Sequence, residues 1–119
     1  MSDECGLDTA AIAKLRQLGG EKFVTDMAAL FFQYAPQRLA AARAASQAGD
    51  LQAVEKAVHA LKSSAGQIGA RRVEELATQI EKLAVDNQAN AIQPLLPQLE
   101  QAITQFKPLL EAQRNQSSP

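Results

Sequence analysis

The chain contains one histidine, His59, in the run His59-Ala60-Leu61-Lys62-Ser63-Ser64-Ala65-Gly66-Gln67-Ile68-Gly69-Ala70. An imidazole is a nucleophile near neutral pH. Lys62 follows at a spacing that sets it one helical turn away, where a cation offsets negative charge arriving at the ring. Ser63 and Gly66 are small and fall about one and two turns beyond His59, which leaves room for another protein to come close. The stretch has too few polar partners for a complete catalytic site. An accessible histidine to which a group is delivered needs little else.

The elements that must position this run are helical. The 119 residues are 46% hydrophobic and only 4% aromatic, and Val, Ile and Thr are scattered rather than alternating, a composition that favours helices. The length fits one domain spanning residues 1–119, with a core over about 7–112 and loose termini. A net charge of −1 without a basic block argues against nucleic-acid and anionic-membrane partners. No apolar run approaches the ~18 residues of a membrane span. The polar, acidic start from Met1 to Cys5 is unlike a secretory signal, so the expected location is the cytoplasm. Cys5 cannot form an internal disulfide and reads as a tolerated tail residue. One His and one Cys give no metal-ligand spacing, and no cofactor is expected.

Five helical segments are predicted. The first runs from about Asp8 to Leu18, capped by Asp8 or Thr9 and ended by Gly19-Gly20. The second runs from about Glu21 to Gln47, with Phe23, Met27, Leu30, Phe31 and Tyr34 as its apolar stripe and a kink or break at Pro36. Gly49-Asp50 stops that helix and caps the next, Leu51 to Ile68. The fourth runs from Arg71 to Val85 and is broken by Asp86-Asn87. The last runs from about Asn90 to Ala112, with Pro108 kinking or ending it and a frayed tail from Arg114. The predicted fold is all-α: an antiparallel up-down four-helix bundle with a short extra N-terminal helix packed across one end.

At about 100° per residue, Leu51, Val54, Val58, Leu61, Ala65 and Ile68 share one face, and His59 lies roughly 130° from its centre. The imidazole is therefore expected in solvent, with Lys62 at the boundary and Gln52, Glu55, Lys56, Ser63 and Gly66 around it as the candidate partner-docking face. A mid-helix glycine costs up to ~1 kcal/mol relative to alanine. No packing reason for Gly66 is visible in the sequence, which suggests that it keeps the surface beside His59 low. Phe32 points away from its helix's stripe. It either adds an apolar contact at the rim of that face or lies under the last helix.

The run from His59 to Ala70 resembles the motif of histidine-containing phosphotransfer (HPt) domains, H-x-L-K-G-S/A-S/A-x-x-x-G-A/L. Phe31 with Pro36 and Leu39, Gly49-Asp50, and the stretch Leu76 to Leu83 are similar to that family as well, so the likeness covers about Leu7 to Ala112. The resemblance implies a bacterial-type phosphorelay. His59 would accept a phosphoryl group from an aspartyl phosphate on one receiver domain and give it to an aspartate on another, and a hybrid histidine kinase would feed the relay. Lys62 would neutralise phosphoryl charge, Ser63 and Gly66 would be the small docking positions, and Gly69 would allow the close helix turn. Ser63 departs from the family's usual glycine; it is still small, and its hydroxyl is expected to face water. The receiver would supply the metal and most catalytic groups. Counting back along the fourth helix from the Gly69-Ala70 turn reaches Gln79 to Lys82. Glu81, or as second choice Gln79, would bond the ring nitrogen that is not phosphorylated and orient the ring.

The expected protein is thus a monomeric phosphocarrier rather than an enzyme, since no glycine-rich ATP-binding loop is present. Two other readings compete. One is the phosphoacceptor domain of a chemotaxis-type or hybrid histidine kinase. The chain begins at Met1 and is too short for the attached dimerisation and ATP-binding domains, so this applies only to a fragment. The other is a non-catalytic helical binding module, against which His59 and Lys62 both argue.

Overall fold

A computed structural model describes residues 6–117; Cys5 lies outside them. The elements are α1 (Thr9–Gln47), α2 (Leu51–Ile68), α3 (Arg71–Val85), α4 (Ala89–Ile92) and α5 (Leu95–Ser117). Among the described residues no strand occurs, and one antiparallel backbone bridge joins Leu7 to Ala70. The long part of α1, α2, α3 and α5 pack in cyclic order, each against the next. This is the four-helix bundle that four amphipathic segments and short connections dictate.

The sequence explains the element boundaries. Asp8 accepts from the amides of Ala10 and Ala11 at 3.1 and 3.4 Å and starts α1. Gly20, at φ 77° and ψ −171°, breaks α1 into a short N-terminal arm and the long bundle helix. Arg16 spans the break to Glu21 at 3.0 Å. Asp50 caps α2 by accepting from the Ala53 amide at 3.1 Å. Gly69 ends α2 in the left-handed region at φ 81°. A Cβ there would stand 2.6 Å from the Asp8 carbonyl oxygen, so the position needs glycine for both its φ and the close approach. The Asp8 amide donates to the Gly69 carbonyl at 2.8 Å, which lays the N-terminal arm across the α2–α3 turn. Leu7, Ile12 and Leu15 are buried beneath it.

The helices depart from the sequence expectations in four respects. The buried stripe of α1 is Val24, Ala28, Phe31, Ala35, Leu39, Ala42 and Ala45. Of the expected stripe only Phe31 is buried; Phe23 and Met27 are half-buried, and Leu30 and Tyr34 are exposed. Both sets have helical spacing, and the alanine-rich one faces inward because small side chains let helices approach closely while larger ones flank the contact. Pro36 does not break α1, whose one non-helical residue is Gly20. Pro108 does not end α5 either, and the helix continues through the segment expected to fray. Arg114 fastens its end to α1, donating to the Thr25 hydroxyl at 2.6 Å and lying 3.5 Å from Glu21. The expected single last helix is divided, with α4 and α5 separated at Gln93-Pro94.

Phe32 takes the second of its two alternatives. Its ring lies 5.9 Å from that of Phe106 in α5, and both contact Phe31.

Candidate functional site

α2 presents Val54, Ala57, Val58, Leu61, Ala65 and Ile68 to the core and turns His59 outward, its side chain 59% exposed. The ring does not stand alone. α3 runs back from the Gly69-Ala70 turn and brings Glu81 to it: His59 Nδ1 lies 2.7 Å from Glu81 Oε2. The other oxygen of the same carboxylate accepts from Lys62 Nζ, also at 2.7 Å. The Glu81 side chain is 17% exposed and that of Lys62 30%. The Lys62 hydrogen bond, with a smaller contribution from that of His59, holds the Glu81 carboxyl below its ordinary range. An ionised carboxylate only accepts hydrogen bonds. The Nδ1 contact is therefore an N–H donated to Glu81, and in the neutral ring Nε2 carries the lone pair. Nε2 lies across the ring from Glu81, at the edge that a partner can reach.

The structure brings together His59, Lys62 and Glu81. Gln79 is exposed on α3 and makes no hydrogen bond with the ring. Gln52, Lys56 and Ser63 are exposed along the outer face of α2, while Glu55 and Gly66 are half-buried. Gly66 differs from expectation. The Glu74 carboxylate of α3 folds over it, and a Cβ at Gly66 would stand 2.9 Å from Glu74 Oε2. The surface there is low but covered by a flexible side chain.

Sequence reasoning missed what flanks α2 on the opposite side. A trough of about 200 Å³ separates α1 from α2, lined among others by Met27, Leu30, Tyr34, Arg38, Ser64 and Gln67. Leu30 and Tyr34 are 48% and 44% exposed. The available signal was the pair of rival stripes on α1: whichever failed to face the core had to face outward. The two flanks of His59 thus differ. α3 contributes Glu74 and Glu81, whereas α1 contributes apolar side chains and Arg38.

The Hpt domain model matches residues 26–109, and the chain belongs to the Hpt domain family. It is a histidine phosphotransfer protein of a two-component phosphorelay, a family of phosphocarriers that exchange phosphoryl groups with receiver domains and kinases. The fold is similar to the crystal structure of histidine-containing phosphotransfer protein B (HptB) from Pseudomonas aeruginosa PAO1. The two share a TM-score of 0.85 at 23% identity, over 95% of this chain and 97% of that one. No curated protein matches significantly. Among the described residues no helix is long and apolar enough to cross a membrane.

Proposed function

We propose that His59 is the phosphorylated residue and that it relays the group between aspartates of receiver domains, with residues 1–119 acting as a single cytoplasmic, monomeric domain. The observation that carries the reading is the ring's asymmetry: Nδ1 is held by Glu81 at 2.7 Å while the ring's outer edge is open. In the forward step the Nε2 lone pair attacks the phosphorus of an aspartyl phosphate. The N–P bond forms as the P–O bond to the aspartate breaks, and the aspartate leaves as a carboxylate. No base is needed, because the attacking nitrogen carries no proton. The Nδ1 proton stays in place, the ring takes on positive charge, and the Glu81 carboxylate lies beside that charge. The second receiver reverses the step. On this reading the chain supplies the nucleophile and the carboxylate that positions it. Incubation with a phosphorylated receiver domain should place acid-labile phosphate on His59, mapped by fragment mass spectrometry. Phosphate found on serine or threonine instead would refute the reading.

The receiver docks over His59, Gln52, Lys56 and Ser63 and extends toward α1 rather than α3, so Glu55 and Gly66 lie at its margin. An aspartyl phosphate is an anion, and the α3 flank presents carboxylates. The α1 flank presents Arg38 and the trough holding Leu30 and Tyr34. A specific interface covers ~800 Å² of each partner, so contact cannot be confined to the surface of α2, and apolar and aromatic groups form the core of such interfaces. Leu30→Asp should slow transfer from a receiver at least about tenfold, the effect of losing ~1.4 kcal/mol of binding. Labelling of His59 by phosphoramidate, a donor too small to need the trough, should be unchanged. Equal receiver kinetics in variant and parent would place the interface elsewhere.

A further inference from the structure

Taking His59 as the phosphorylated residue that receivers meet, we propose that Glu74, seated in the recess at Gly66, selects among receiver domains: it favours one that presents a Lys or Arg opposite it and repels one that presents an Asp or Glu. The glutamates of α3 have different surroundings. Glu81 is bonded by His59 and Lys62, each at 2.7 Å. Glu75 has Arg72 at 3.9 Å. The Glu74 carboxylate meets no cation and accepts no hydrogen bond among the described residues, and the Thr78 hydroxyl donates only to its backbone carbonyl, at 2.8 Å. The missing side chain of Gly66 makes room for this half-buried group. A Cβ there would stand 2.9, 3.4 and 3.9 Å from Glu74 Oε2, Cδ and Oε1, so the whole carboxylate lies over the α2 glycine.

Gly66 follows His59 by nearly two full turns, so it faces the same way about 10 Å further along α2. A specific interface covers ~800 Å² of each partner, a disc of about 16 Å radius. A receiver seated over His59 therefore covers Glu74 near its edge, even when its bulk leans toward α1. Docking strips water from a carboxylate that has no partner of its own. A Lys or Arg on the receiver replaces that water with an ion pair, whereas an Asp or Glu at the same point adds like-charge repulsion. Partners are told apart by such repulsion as well as by attraction. At this distance Glu74 touches neither the ring nor the phosphoryl group. It acts on which receiver docks and leaves the intrinsic reactivity of His59 alone. Its place in the first turn of α3 also lets it stabilise that helix through the backbone dipole, an effect that is the same for every receiver.

The experiment measures the second-order rate of transfer to the full chain from each phosphorylated receiver domain of the source organism. Glu74→Gln should slow the fastest receiver about fivefold and quicken receivers that present an acid by a similar factor, the size set by a partly exposed charge pair. In the fastest receiver, each Lys or Arg around the phosphorylated aspartate is then replaced by Glu in turn. One of these variants should lose rate with the parent chain and regain it with Glu74→Lys. Phosphoramidate labelling of His59, which needs no receiver, should be the same in the parent and both Glu74 variants. An equal change for every receiver, or the absence of any receiver variant that Glu74→Lys rescues, would overturn the proposal and leave Glu74 as a helix-stabilising residue. Parent protein that neither receivers nor phosphoramidate label at His59 would instead refute the relay reading, and this proposal with it.

Discussion

His59→Gln should fold as the parent does and take up no phosphoryl group from any phosphorylated receiver. The substitution removes the nucleophile and leaves a polar side chain at a site 59% exposed. Surface changes of this kind move stability by ~0.5 kcal/mol or less. The Glu81 carboxylate keeps its hydrogen bond from Lys62 at 2.7 Å, so it is not stranded. The loss in transfer should be complete rather than graded, because an amide nitrogen is not a competent nucleophile and the sequence holds no second histidine. Circular dichroism and a radiolabel transfer assay on the same sample check both halves. Retained labelling would remove His59 from the centre of the site.

Phe106→Ala should produce the largest loss of stability among single changes at the α1–α5 seam. Phe106 is 1% exposed. Its ring stands 5.5 Å from that of Phe31 and 5.9 Å from that of Phe32, joining α5 to α1. Truncating a buried phenylalanine costs ~3–5 kcal/mol through lost transfer energy and the cavity left behind. Against a total of ~5–15 kcal/mol that is a large share. The midpoint of thermal unfolding should fall by more than about 10 °C. A fall of less than about 3 °C would mean that the bundle repacks around the gap. Phosphoramidate labelling should persist below the new midpoint, since α2 and α3 carry the reacting groups.

The parts of this structure that were legible in the sequence are those written in local chemistry. Gly49-Asp50 and Gly69 carry φ or capping requirements that only a few residue types meet, and α2 begins and ends, and α3 begins, where those signals place them. The position of Glu81 followed from a two-residue turn between antiparallel helices, a constraint that counting captures. The inward face of α1 depended on a comparison between two stripes of similar spacing, and side-chain size misled because alanines fill the narrow contact. Pro36 and Pro108 were read by their local cost, which packing on both sides of each helix overrides. The cover that Glu74 provides over Gly66 and the trough beside Leu30 arise from three helices at once, and no single stretch of chain encodes either.

The connection between α2 and α3 works as a ruler. His59 stands ten residues before Gly69 and Glu81 twelve after it, so the two side chains meet about 15 Å from the turn that aligns them. One residue added at Gly69-Ala70 would advance α3 by ~1.5 Å and rotate it by ~100°, which carries Glu81 off the ring. The N-terminal arm reinforces the setting, with the Asp8 amide bonded to the Gly69 carbonyl and Leu7 bridged to Ala70. Tolerance of length change is therefore uneven along the chain. Insertions near Asp86-Asn87, beyond the far end of α3, leave the registration of the two helices untouched, whereas the most distant point of the α2–α3 hairpin is the one at which the chain cannot be lengthened.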